Sequence, residues 1–198
     1  MAETISPAVH GGRSRKYWRA VVVHVLGSSL AGAGLGLLLG FVGAALGGPW
    51  HSSGPLVVAL VAAAYFLRVT AGASVPLPHR RRQVPDWWRT FYSPAVSSFM
   101  YGLGLGAGFA TFASFGTLTA VAVAAAATQS PLWGAVLCGL FGAARGLVVL
   151  AGCGALDAEQ GAAVVDRLQR TASGRLLQAL NAAALLSLTV TGTAAFAF

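Results

Sequence analysis

Two of the 13 Lys and Arg residues, Arg68 and Arg145, lie inside long apolar stretches of a 198-residue chain, with no Asp or Glu in any such stretch. A guanidinium there stays charged and presents five donors in a planar fork, so it must meet an oxyanion, a carbonyl or water. Two of them would form an electropositive pocket suited to a carboxylate, a sulfur oxyanion or a phosphate. Arg68 is four residues from the inner end of its stretch and can reach outward along its own stem, whereas Arg145 lies about eight residues in. His24 and Asn181 each sit about one turn inside an apolar stretch, and Ser114 and Thr117 supply hydroxyls in another. The expected solute-binding set is therefore Arg145, Arg68, Ser114, Thr117, His24 and Asn181. The competing expectation is structural: arginines bonded to helix C-terminal carbonyls or lipid headgroups, and His24 and Asn181 as packed hydrogen-bonding residues.

Other chemistry is sparse. Cys138 and Cys153 are 15 residues apart in one stretch. On a straight helix that is roughly 22 Å, against the ~7 Å limit for a disulfide. His51 has no second metal ligand nearby. The chain has no metal-ligand cluster, no phosphate loop and no nucleophile beside a base. No catalytic residue, metal or cofactor is expected, and an enzyme for a water-soluble substrate would lack its acid/base pair.

The elements that must carry these residues follow from composition. Hydrophobic residues make up 56% of the chain and charged residues 9%, with a mean hydropathy of +0.71. Soluble domains carry roughly 25% charged residues, so the natural solvent is a bilayer. Five stretches are apolar enough for spans, at about 20–47, 55–72, 95–127, 131–153 and 176–198. They lack the apolar–polar alternation of barrel strands. The expected fold is an all-α polytopic membrane helix bundle of about five transmembrane helices, forming a single domain over 20–198 behind a basic N-terminus at 1–19. The linker 73–94 contains prolines and the run Arg80, Arg81 and Arg82, and 157–173 reads as an amphipathic helix.

Charge sets an expected orientation. Eleven of the 13 basic residues fall in the N-terminus, the linker 73–94 and the segment before the fifth span, and none in the two other connections. By the positive-inside rule the N-terminus is cytoplasmic, the C-terminus external and the location the plasma membrane. Trp18, Trp87 and Trp88 then fall at the inner boundary, and Trp50 and Trp133 at the outer one. Arg80, Arg81, Arg82, Trp87 and Trp88 are expected to anchor the linker to anionic headgroups. The net charge of +8 thus records orientation and lipid contact, with no nucleic-acid partner expected.

A degenerate two-span repeat runs through the chain. Residues 34–41 match 102–109 at an offset of 68, and each copy is followed by a stretch that opens on proline, Pro55 or Pro131. Arg68 and Arg145 lie 13 and 14 residues past those prolines. Gly32, Gly36 and Gly40 form GxxxGxxxG, and Gly102 with Gly106 and Gly104 with Gly108 form GxxxG pairs, spacings that let helix backbones approach closely. The third stretch would measure roughly 48 Å as one helix, longer than a ~30 Å bilayer core. A break is therefore expected near residues 114–117.

The run Phe99 to Leu147, FMYGLGLGAGFATFASFGTLTAVAVAAAATQSPLWGAVLCGLFGAARGL, resembles small multi-pass proteins of actinobacteria. It is also similar to the glycine-rich spans of the CcdA/DsbD and LysE-type membrane families. The resemblance implies solute export or thiol–disulfide electron relay. The thiol-transfer families carry a reactive cysteine in each half, whereas here both cysteines lie in the fourth stretch. Three functions are carried forward: a carrier or exporter of a small anionic solute, a non-catalytic membrane subunit or scaffold packing through GxxxG faces, and a thiol relay. The expected partners are anionic lipid, a small solute, and either further copies of the chain or a membrane partner subunit.

Overall fold

Apolar residues in long runs without central proline must satisfy their backbone groups internally, and an α-helix does so within one segment. The computed structural model describes residues 5, 7–10, 12, 14–47, 50–76, 88–108, 116–172 and 174–197. It contains α1 (Arg15–Ala45), α2 (Trp50–Ala71), α3 (Trp88–Phe91), α4 (Pro94–Gly106), α5 (Thr117–Ala127), α6 (Pro131–Gly146), α7 (Ala158–Ala172) and α8 (Arg175–Ala197), with 3-10 segments at Pro7–His10 and Leu147–Gly152. There is no strand among the described residues. The fold is an all-α polytopic helix bundle. Among the described residues four segments, Arg15–Ala45, Ser53–Ala71, Pro131–Gly152 and Leu177–Phe196, are long and apolar enough to cross a membrane.

Local signals explain the helix ends. The Ser14 hydroxyl accepts from the Tyr17 N–H at 3.4 Å and starts α1. Pro94 opens α4 at a position where its missing N–H costs nothing. That helix stops where Gly108 takes φ +73, a left-handed conformation that L side chains avoid. The stretch 95–127 is therefore two helices of 13 and 11 residues, α4 and α5. α4 ends at Gly106, before the expected break point, and residues 109–115 lie outside the described residues. Two other boundaries differ from expectation. α2 begins at Trp50 and carries Pro55 inside it, and the fourth stretch tightens to 3-10 geometry after Gly146.

The amphipathic segment forms α7. The Asp157 carboxylate accepts from the Gln160 N–H at 2.7 Å, and the Gln160 side chain accepts from the Leu156 N–H at 2.9 Å. The arrangement is a variant of the capping box in which the Gln160 side chain reaches back to the N–H of the residue before the Asp157 cap. Asp166 and Arg170 pair one turn apart on the exposed face.

The chain divides into two compact units. The first comprises Met1–Gly32, Arg81–Phe112 and Gly139–Ala172. Its core joins Ile5, Tyr17, Ala20, Val21 and Val149, with Leu150 and Cys153 against them. The basic N-terminus is thus also a packing element. The second comprises Ala33–Arg80, Ala113–Cys138 and Ser173–Phe198. There α2 packs with α5 and α8 around Ala62, Tyr65, Ala120 and Leu185. Leu30, Leu38, Phe41, Leu60 and Leu140 all point outward, an apolar surface that suits lipid and not water.

Candidate functional site

In the first unit the polar side chains of α1 bond to neighbouring backbone. His24 and Ser28, one turn apart, are both fully enclosed. The His24 Nδ1 donates to the Ser98 carbonyl of α4 at 3.1 Å. The carbonyl can only accept, so this contact places the proton on Nδ1. The Ser28 hydroxyl donates to the Gly142 carbonyl of α6 at 2.6 Å, and Ser29 donates to the Gly139 carbonyl at 3.2 Å. These bonds need close backbones. A Cβ at Gly106 or at Gly142 would collide with the Ser28 carbonyl oxygen, and one at Gly102 with the His24 carbonyl. Glycine is required there for lack of room, and the side-chain bonds add to the packing that holds helices together in lipid.

Arg145, near the end of α6, donates from Nη1 to the Leu105 carbonyl at 2.8 Å. Leu105 belongs to the last turn of α4, whose carbonyls have no further helical N–H to meet. The Gly108 N–H also reaches the Leu105 oxygen, at 3.3 Å. Arg145 is therefore a cap in trans: it brings positive charge and a donor to the negative end of the shortened helix. Ending α4 at Gly106 leaves carbonyls without a helical donor, and an arginine of α6 covers one of them.

The second unit has its own polar end. α2 finishes at Ala71, Gly72 after it takes φ +70, and the chain folds back on the helix. The Tyr65 hydroxyl donates to the Pro76 carbonyl at 3.1 Å, and Arg68 donates to the Val75 carbonyl. Thr117 opens α5, and its neighbour Gly116 lies so close to the Tyr65 ring that a Cβ would overlap it. Asn181 on α8 is 6% exposed, and neither polar atom of its side chain has a hydrogen-bond partner among the described residues. In the same unit Gly36 and Gly40 of α1 meet the backbone of Gly134 and Ser130.

Of the expected solute-binding residues, His24 and Arg145 belong to the first unit, and Arg68, Thr117 and Asn181 to the second. Within the first, the partners of His24 and Arg145 lie seven residues apart on α4, roughly 10 Å. Ser114, Arg80, Arg81, Arg82 and Trp87 lie outside the described residues. Trp88 is half-buried in α3, with its ring 5.9 Å from that of Tyr101. The remaining glycines of the expected motifs also have places: Gly32 and Gly104 are buried, and Gly108 terminates α4. Sequence reasoning missed Ser28 and Tyr65. Ser28 had a signal, since it continues the four-residue spacing of Gly32, Gly36 and Gly40 one turn earlier. Cys138 is buried in the second unit and Cys153 half-buried in the first. No three His, Cys, Asp or Glu side chains gather among the described residues.

The chain is 32% identical over 148 residues to the methylamine utilization protein MauF of Paracoccus versutus, an alignment covering 73% of this chain and 54% of that protein. The chain thus spans about half the length of the curated relative it matches. No family model matches it, and no solved structure does.

Proposed function

We propose that this protein is a non-catalytic accessory subunit of the cell membrane, a scaffold for a partner in the utilisation of a small amine. One observation carries the reading. His24, Ser28, Arg68 and Arg145, the polar side chains best placed for chemistry, all donate to backbone carbonyls of their own chain. Groups used in this way hold helices in place and are poorly disposed to turn over a substrate. The likeness to a protein named for methylamine utilisation supports a setting in amine metabolism. The partner is a membrane protein that packs on the outward apolar faces, and anionic lipid holds the arginine-rich linker with Arg80, Arg81, Arg82, Trp87 and Trp88. The positive-inside rule supports a cytoplasmic N-terminus and an external C-terminus in the plasma membrane.

The reading is tested by extracting the protein from its native membrane in a mild detergent and measuring the stoichiometry of what stays with it. A constant ratio of one membrane protein is expected. Purified protein that alone moves a small anion into proteoliposomes, with Arg68→Gln abolishing the flux, would sink the accessory reading. It would restore the second one, a carrier of a small anionic solute. That alternative draws on Arg68, Thr117 and Asn181 sharing one unit.

A further inference from the structure

We infer that one end of the second unit is a binding site for a compact oxyanion, formed by Arg68 of α2, Asn181 of α8 and the start of α5. The inference goes beyond the accessory role and does not depend on it.

The placement follows from register. Gly192 of α8 lies against Pro55 and Ala59 of α2, while Leu185 packs with Ala62 and Tyr65. Moving back along α8 therefore moves forward along α2, so the two helices are antiparallel. Asn181 lies one turn before Leu185, roughly 6 Å along the axis. That brings it level with the turn after Tyr65, which contains Arg68. α5 obeys the same rule: Ala120 packs with Ala62 and Tyr65, and Gly116, a turn earlier, meets the Tyr65 ring. The start of α5, with Thr117 and, among the described residues, no side-chain cap, therefore shares that end. Val75, whose carbonyl takes the Arg68 bond, packs on the same cluster, so the guanidinium is held against it.

The chemistry of the three groups converges. Arg68 supplies a fixed positive charge with donors beyond the one given to Val75. A helix start carries partial positive charge and favours anions. Asn181 is the independent sign of a ligand. It is 6% exposed, and both its amide nitrogen and its amide oxygen lack partners among the described residues. An amide enclosed in that state is costly unless something supplies its bonds. A compact oxyanion, whether a free carboxylate or phosphate or the phosphate of a lipid headgroup, accepts from the Asn181 amide N–H and from Arg68, and the Asn181 amide oxygen, which can only accept, is left to an N–H of Arg68 not used by Val75 or to water.

The test is thermal unfolding of the full chain, followed by tryptophan fluorescence. Sodium acetate and inorganic phosphate are titrated in a neutral detergent, with sodium chloride at equal ionic strength as the control. A parallel series uses nanodiscs of phosphatidylcholine with and without phosphatidylglycerol. A saturable rise in Tm with acetate or phosphate is expected. Asn181→Leu should raise the Tm of the unliganded protein and remove the response, and Arg68→Gln should weaken the apparent affinity by about tenfold or more. If only phosphatidylglycerol gives a rise that both variants lose, the site stands and its oxyanion is a headgroup. No rise with any of the three probes, or an equal rise in wild type and both variants, overturns it.

Discussion

An arginine inside a span needs a partner that lipid cannot supply. Arg145 finds one in the Leu105 carbonyl, because α4 stops at Gly106 and leaves that group without a helical donor. Arg145→Met should destabilise the protein by about 1.5–3 kcal/mol, the scale of a hydrogen bond to a charged group. Arg145→Lys, which keeps the charge but not the planar fork, should recover part of the loss. Unfolding titrations in mixed micelles read both changes. Wild-type stability in the Met variant would dismiss the capping role. Arg145 was visible in the sequence as an anomaly, and so was the structural alternative that it bonds to a helix end. Which carbonyl it serves was not visible, since Leu105 is forty residues away and no local pattern connects the two.

At the scale of elements, the small residues of α1 decide how near its neighbours come. Of the three glycines in the run 34-GLGLLLGF-41, the first two have opposite surroundings. A Cβ at Gly36 would collide with the Gly134 backbone, whereas Gly34 has nothing within 4 Å. Gly36→Ala should therefore cost about 1–3 kcal/mol, as overpacking does. Gly34→Ala should be neutral or stabilise by about 0.5–1 kcal/mol through helix propensity. Measured side by side, equal effects of the two substitutions would refute the close approach of α1 and α6 at this level. The repeat was legible as a pattern, but its two copies serve different ends. Gly40 lies within α1, whereas its counterpart Gly108 terminates α4. A glycine permits both outcomes, and the surrounding helices select one.

For the whole molecule, four long apolar helices with leucines and phenylalanine turned outward describe a chain that a bilayer must cover. The proposed orientation gives a direct expectation. In inverted and right-side-out vesicles, a cysteine at position 10 should react with an impermeant maleimide only from the inner side, and one at 197 only from the outer. Cys138→Ser and Cys153→Ser would first remove the native thiols. Labelling of both positions from the same side would refute an odd number of crossings and the scheme built on it.

Composition and hydropathy alone determined that this is an all-α chain made for a membrane, because 9% charged residues cannot clothe a water-facing surface. The positions of nearly all the long helices were legible for the same reason: a run of about 20 apolar residues has few other ways to satisfy its backbone. Tertiary structure decided the rest. It divided the third stretch in two, gave Arg145 to a helix end, and enclosed Asn181 with no hydrogen-bond partner among the described residues. Each outcome depends on which backbone lies opposite a given side chain, a relation between residues far apart in sequence that local pattern does not encode.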